Sequence, residues 1–316
     1  MSLLTVGTVA FDAIETPFGK TDKIVGGAAT YIAWSASYFS KQVNIVSVIG
    51  DDFDMNELDL LKNTDAKSKS RGKIDTQGVE VKKGEKSFFW SGKYHLDMNS
   101  RDTLITDLNV LADFNPIIPN EYKASDILLL GNIDPALQLK VIDQIPVRPK
   151  LVVMDTMNFW MDIAWDNLMK VIAKIDVLAI NDAEARQLSK EYSLVKAAKK
   201  ILTMGPEFLI IKKGEHGALL FHENNVFFAP ALPLEDVFDP TGAGDTFAGG
   251  FCGFLDKTRD ISFENMKRAI IYGSAMASFC VEKFGTERLK NLTHKEIEDR
   301  VREFIDLVQF DIEIAD

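Results

Sequence analysis

Apolar residues in this chain follow two rhythms. Short unbroken runs, at Leu3 to Val9, Val43 to Ile49 and residues 127–131, 151–155, 176–180, 208–212 and 218–221, alternate with longer stretches whose apolar positions recur at helical spacing. The runs carry apolar side chains on consecutive residues, so both faces of each strand are buried, as in a parallel sheet covered by helices on both sides. The helical stretches fall at Ala28 to Phe39 and at residues 54–67, 137–144, 162–173, 183–190, 193–202, 262–282 and 293–307. Strand, helix, strand in regular alternation predicts an α/β fold, a doubly wound and mostly parallel sheet.

One region breaks this rhythm. Between Asp75 and Leu104, Gly78-Val79-Glu80-Val81 and Lys86-Ser87-Phe88-Phe89-Trp90-Ser91-Gly92 read as a hairpin turning near Lys83-Gly84. Residues 13–25 are polar and β-prone, and together the two segments predict a small β-sheet lying over the main layer. The whole chain, 1–316, is then a single domain with insertions at about 13–25 and 75–104. Phe88, Phe89, Trp90 and Tyr94 either pack within this appendage or cover a ligand. No internal repeat, low-complexity tract or Pro/Gly/Ser linker divides the chain.

A chain of 316 residues with 46% hydrophobic and 26% charged residues has material for one large core. Its net charge of −11 argues against a general attraction to nucleic acid or anionic membranes, so any phosphate ligand must be held by local amides, a metal or a few basic residues. Two cysteines in apolar helical surroundings, Cys252 and Cys280, read as buried free thiols, which suits a reducing cytosol. Neither an apolar leader nor a membrane span is expected, and a cytoplasmic location follows.

The densest candidate chemistry is Asp239-Pro240-Thr241-Gly242-Ala243-Gly244-Asp245-Thr246-Phe247-Ala248-Gly249-Gly250-Phe251. It reads as a loop feeding a buried helix, with Gly242, Ala243 and Gly244 leaving their amides open at the helix N-terminus, where the macrodipole favours an anion. A carboxylate beside a cradled phosphate is repelled by it. Asp245 therefore needs a reason to be there, and accepting a proton from an attacking hydroxyl is one; a helix N-cap is the other. Asn181 and Glu184, three residues apart after the 176–180 run, suit either a hydrated magnesium ion on phosphate or a plain capping box. Lys212-Lys213-Gly214-Glu215-His216-Gly217 lies between two strands; Lys213, Gly214 and Gly217 are candidates for a nucleotide-binding loop that hosts base and ribose, Lys212 or Lys213 is a candidate phosphate contact, and a solvated hairpin turn is the alternative. The Gly26-Gly27 pair allows close approach to the start of the Ala28 helix. The chain lacks a Walker motif, a dinucleotide fingerprint, a G-x-S-x-G elbow and metal-ligand spacing among its four histidines.

Together these residues resemble the ribokinase-like (PfkB) carbohydrate and nucleoside kinases over essentially the full length. The C-terminal D-x-x-G-A-G-D signature of that family is present entire at Asp239 to Asp245. Gly26-Gly27-Ala28-Ala29 matches its N-terminal signature, Asp12 its acid after the first strand, and Asn181 to Glu184 its N-x-x-E. Two positions depart from the pattern: Tyr31 stands where many members have Asn, and Ser40 where glycine is usual. The resemblance implies a ribokinase-like fold with a small β lid and transfer of the γ-phosphate of ATP to a sugar or nucleoside hydroxyl. It makes Asp245 the general base, Gly242 to Gly244 the anion hole, and Asn181 with Glu184 the organisers of magnesium. Asp12, Gly26 and Gly27 would hold the substrate; Phe89, from the aromatic segment, is a candidate substrate contact on the residue reading alone. Some members also bind a monovalent cation near the positions of Asp239 and Thr241 and of the segment from Glu282 to Glu287, which leaves potassium open. Lid strands of this family can pair between protomers, which would make a homodimer, and a lid covering a monomer predicts the same sequence pattern. The competing reading is a catalytically silent sugar- or nucleoside-binding or regulatory protein on the same fold.

Overall fold

The computed structural model describes residues 2–62 and 71–309. Its strands are β1 Leu3–Val6, β2 Ala10–Thr16, β3 Gly19–Lys20, β4 Ile24–Gly26, β5 Gln42–Gly50, β6 Lys73–Lys82 and β7 Phe89–Tyr94, then β8 Arg101–Asp107, β9 Ile127–Leu130, β10 Leu151–Asp155, β11 Val177–Asn181, β12 Phe208–Lys212, β13 Ala218–His222 and β14 Asn225–Ala229. Nine of them form one sheet in the order β14-β13-β12-β11-β10-β9-β1-β5-β6. The pairs from β6 to β12 are parallel, and the β12–β13 and β13–β14 pairs are antiparallel.

Period-two alternation splits the apolar runs between two cores. Leu3, Ile45, Leu129, Val153, Ala179 and Ile210 face the helices Ala28–Ala36, Ala243–Thr258 and Phe263–Cys280. Their neighbours Leu4, Val46, Leu128, Val152, Leu178 and Leu209 face the helices Pro135–Asp143, Trp165–Ile172, Asp182–Ser189 and Leu194–Leu202. Each fully buried Leu, Ile or Val contributes about 1.5–3 kcal/mol of transfer free energy, so a slip that turned these faces outward would unfold the layer.

The small sheet has the order β3-β2-β7-β8, with β4 added against β2. It contains the predicted appendage but not the predicted hairpin. β6 runs parallel to β5 at the edge of the large sheet, from Gln42 opposite Lys73 to Gly50 opposite Lys82, while β7 crosses over to lie parallel to β2. The turn at Lys83-Gly84 is present and changes sheets instead of closing a hairpin. An alternating, half-buried strand fits either partner, so its periodicity does not name one. The first predicted strand is likewise shorter: β1 ends at Val6, and Asp12 lies within β2. The helix expected at residues 54–67 is observed as Met55–Lys62, and residues 63–67 lie outside those described.

Close helix packing aligns the two signature segments. A Cβ on Gly249 would sit 2.4 Å from the Ile32 carbonyl oxygen, and one on Gly253 would sit 2.9 Å from Ala36 Cα, so only glycine lets the Ala243–Thr258 helix approach the Ala28–Ala36 helix this closely. Ser35 Oγ then donates to Thr246 O at 2.7 Å, locking the beginning of one helix to the end of the other. Among the described residues both cysteines are free and buried, and no helix is long and apolar enough to cross a membrane.

Candidate active site

Three adjacent parallel strands end side by side in Asp155 (β10), Asn181 (β11) and Lys212 (β12), at the carboxyl edge where open α/β sheets bind ligands. The predicted 239–251 loop meets this edge. Asp239 is fully buried; its Oδ1 accepts from Thr241 N (2.9 Å) and its Oδ2 from Gly285 N (2.8 Å), pinning the loop to the chain just past the Phe263–Cys280 helix. Gly242 is the N-cap of the next helix, with φ 74°, a conformation that glycine tolerates best. Its Cα rests on the Tyr31 ring, whose carbons lie 2.5 Å from where a Cβ would stand.

Asp245 is thus the third residue of the helix and not its N-cap. Ala243 N donates to Pro240 O (3.2 Å) and Thr246 N to Gly242 O (2.8 Å), which leaves the Gly242, Gly244 and Asp245 amides without an acceptor among the described residues. These donors and the macrodipole make a cradle for an anion.

Lys212 reaches into the same space. Its Nζ donates to Asp155 Oδ2 at 2.8 Å, with both side chains mostly buried, and lies 3.1 Å from the Cβ position of Gly244. Burial alone would lower the Lys212 pKa; the charges of Asp155, Glu184 and Asp245 outweigh it and raise the value, so the lysine is cationic. Asp245 is pushed up to about 7, first by burial and then by Asp155, against the pull of Lys212 and Arg101. Glu184 also rises to about 7, through burial and Asp155, opposed by Lys212, the Asn181 amide and Arg101.

Asn181 and Glu184 form a complete capping box: Glu184 N donates to Asn181 Oδ1 (2.8 Å), and Asn181 N to Glu184 Oε2 (2.7 Å). Glu184 is only 6% exposed and feels the charges of Asp155 and Lys212, while the box uses only its Oε2. The donors gathered here are all oxygens, and among the described residues no group of three or more His, Cys, Asp or Glu stands ready to hold a bare ion. Such a set fits magnesium that arrives on a polyphosphate and keeps its waters.

The residues expected from the sequence to hold the substrate form a second group. Gly27 caps the Ala28 helix, whose first amides are satisfied by Thr8: Ala28 N donates to Thr8 Oγ1 (3.0 Å) and Ala29 N to Thr8 O (2.9 Å). The Asp12 carboxyl lies flat on Gly26, its Oδ2 only 1.9 Å from where a Cβ would be. Asp12 is driven up to about 7 by burial, then by Asp239 and Asp245, with the Gly27 amide opposing. Phe89 and Trp90 stand beside Phe11 and Asp12 in the β2–β7 pairing, which puts the aromatic segment next to this acid.

The small sheet touches the crevice at both ends. Tyr94 and Thr241 hydroxyls are hydrogen-bonded at 3.1 Å, and Asn99 Nδ2 donates to Glu215 Oε1 at 3.4 Å. Gly214 and Gly217 shape a short 3-10 turn with positive φ, and Lys213 N closes it onto Gly217 O (2.8 Å). No hydrogen bond or ion pair is found for the Lys213 side chain among the described residues; strand alternation sends Lys212 inward instead. Neither Asp155 nor Arg101 is singled out by the sequence reading, which left Lys212 and Lys213 as equal candidates for phosphate. The signal for Asp155 was present, since it closes the 151–155 run at the ligand-binding edge.

One consequence concerns stability. A carboxyl whose pKa is higher folded than unfolded binds more protons in the folded state, so its contribution is full below about pH 4 and is lost as pH rises through its folded pKa. Asp12, Asp245 and Glu184, each raised to about 7, are all of this kind. The ligand-free protein is expected to melt at a higher temperature at pH 6 than at pH 8, and Asp12→Asn to raise Tm at pH 8 and shrink that difference. Calorimetry at the two pH values checks this; an Asp12→Asn variant less stable than wild type at pH 8 contradicts it.

An acid-floored crevice under a small sheet, with an open-amide loop and an inward lysine at strand ends, defines a small-molecule phosphotransferase that uses an alcohol group as acceptor. Residues 3–292 match the model of the pfkB family carbohydrate kinases, and the chain belongs to that family. It is similar to the cytidine kinase of Thermococcus kodakarensis, 28% identical over 267 residues, covering 83% of this chain and 91% of that protein. In structure it resembles the nucleoside kinase of Methanocaldococcus jannaschii, an archaeal member of the ribokinase family, with a TM-score of 0.75 and 22% identity over 96% of this chain and 98% of that one. It also resembles an E. coli protein of the ribokinase fold solved with ATP and Mg2+, with a TM-score of 0.75 and 19% identity over 97% and 99% of the two chains.

Proposed function

We propose that this protein transfers the γ-phosphate of ATP to a ribose hydroxyl of a nucleoside, with Asp245 as the general base. The observation that carries the reading is the junction at Asp245. Its carboxyl, raised to about 7, stands on the first turn of a helix whose Gly242, Gly244 and Asp245 amides are open, within electrostatic reach of both Lys212 and Asp12. The nucleoside, in preference to a free sugar, is supported by the names of the similar cytidine and nucleoside kinases and by Phe89 and Trp90 beside Asp12, where a base has aromatic surface to meet.

In this scheme Asp12 and the Gly26-Gly27 backbone hold ribose hydroxyls, and Asp245 takes the proton of the attacking hydroxyl. The open amides and Lys212 stabilise charge growing on the transferred phosphoryl oxygens. Magnesium, held through phosphate and water near Glu184 and Asn181, supplies further charge neutralisation when bound. The small sheet acts as a lid: Tyr94 and Asn99 hold it across the crevice, and excluding water limits hydrolysis of ATP. Asp239 keeps a lone pair on each carboxylate oxygen beyond the two amides it accepts. With Thr241 and the adjacent 282–287 segment, it is the proposed site for potassium.

The test is a panel of nucleosides and pentoses with ATP and magnesium, in potassium and in choline salts. Phosphorylation of a nucleoside with kcat/KM at least about tenfold above any free sugar, and faster in potassium, is expected. Ligand binding without phosphoryl transfer for every compound would establish the silent-binder reading instead.

A further inference from the structure

The loop that carries Asp239 and the open amides is suspended from one short stretch of chain, residues 280–285, at the end of the Phe263–Cys280 helix. Val281 O accepts from Phe238 N (2.8 Å) and Asp239 N (3.3 Å), Gly285 N donates to Asp239 Oδ2 (2.8 Å), and Cys280 Sγ donates to Thr241 O (3.6 Å). The same stretch meets the small sheet. The Phe284 ring lies 3.6 Å from the Cβ position of Gly19, and the Cβ position of Gly285 lies 2.8 Å from Cδ1 of Ile24, the residue paired with Asp12. Residues 281–286 belong to no helix or strand, so their placement depends on what their side chains grip.

Glu282 supplies the grip. Its Oε2 accepts from Arg288 Nε (2.8 Å) and its Oε1 from Arg300 Nη2 (2.7 Å), so a different guanidinium takes each carboxylate oxygen. Both arginines are themselves tied down. Arg300, on the His294–Val308 helix, donates through Nη1 to Ser278 Oγ (2.7 Å), and Arg288 donates through Nη2 to Glu296 Oε1 (2.8 Å) on that same helix. The two guanidinium groups stand 4.9 and 4.0 Å from the centre of the buried Phe279 ring. All three charged side chains are mostly buried, and charge-assisted bonds shielded in this way are stronger and less screened than a surface pair. We propose that Glu282, clamped by Arg288 and Arg300, is a positioning residue: by fixing residues 281–285 it sets where Asp239, and with it the open amides of Gly242, Gly244 and Asp245, stand. The inference rests on the kinase reading above. The C-terminal helix then tunes turnover without touching substrate. Donors that stabilise the charge growing on a transferred phosphoryl group act through exact placement, so a small shift of the loop costs more in turnover than in nucleotide affinity.

Glu282→Gln keeps the shape of the side chain. Its oxygen still accepts from one arginine, but its amide nitrogen faces the other guanidinium, donor against donor. In steady state kcat should fall about tenfold while KM for magnesium–ATP stays within about twofold. Arg300→Lys should retain more turnover than Arg300→Ala, because an ammonium group still reaches Glu282. Glu303→Gln, which removes the exposed carboxylate 3.3 Å from Arg300 Nε, should keep kcat within about twofold of wild type. Amide exchange followed by mass spectrometry needs no substrate: in Glu282→Gln, residues 238–246 should exchange at least about fivefold faster, with residues 151–155 and 177–181 as in wild type. Wild-type kcat with unchanged exchange at 238–246, an equal loss of turnover in Glu303→Gln, or exchange raised evenly through both cores would overturn the assignment. A wild type that phosphorylates nothing, yet shows faster exchange confined to 238–246 on substitution, would overturn the kinase reading and leave the clamp in place.

Discussion

Asp245→Asn is expected to reduce kcat by about 10²-fold or more, with magnesium–ATP affinity held within about threefold. Asparagine keeps the shape and the first-turn backbone of the Ala243–Thr258 helix, so the open amides stay in place, but it has no lone pair basic enough to accept the substrate proton. The pH profile makes the test specific. Burial and Asp155 raise Asp245 to about 7, so the wild-type kcat/KM should climb as pH rises through about 7, where the base ionises. Glu184 and Asp12 titrate in the same range and share that limb. In the variant, the residual rate should lose the steepest part of it. Turnover near that of wild type, or an unchanged profile, would remove Asp245 from the role of base.

Lys212→Met should do comparable damage by a different route. Methionine fills the volume of the lysine stem but leaves Asp155 buried without its 2.8 Å partner; breaking such a pair costs about 3–5 kcal/mol. Lys212 also lowers the pKa of Asp245 and Glu184. Without it both carboxyls hold their protons to higher pH, so the acid limb of kcat/KM should move upward while kcat at pH 7 drops by about 10² or more. The double variant Lys212→Met/Asp155→Asn separates fold from chemistry. Removing both charges should restore much of the melting temperature and little of the turnover. Recovery of both would make Lys212 a purely structural residue.

The two core faces and the Asp239–Asp245 loop were legible because each is local: period-two burial, and small residues massed before a helical repeat. Asn181 and Glu184 illustrate the limit of local reading. Their spacing suited both a capping box and a phosphate–magnesium site, and the structure shows the box formed with Glu184 buried against Asp155 and Lys212. The choice between Lys212 and Lys213 turned on which residue of the β12 end faces the crevice, a matter of a single step in register. The β6 strand was legible as a strand and not as a neighbour of β5, because a half-buried alternating pattern satisfies any edge that offers one apolar face.

By itself, then, the amino-acid sequence determined the α/β class, the two-faced burial of the strands, the loop that opens its amides and the family to which these belong. All of these depend on residue type and short-range spacing. Only the tertiary structure decided which distant charges share the crevice. It brought Asp155 and Lys212 together across 57 positions, brought Asp12 under the charges of Asp239 and Asp245, and paired Arg101 with Tyr94 on a separate sheet. Electrostatic interaction depends on distance through space and on burial. Neither is written in the order of residues until strand partners and helix contacts have been chosen.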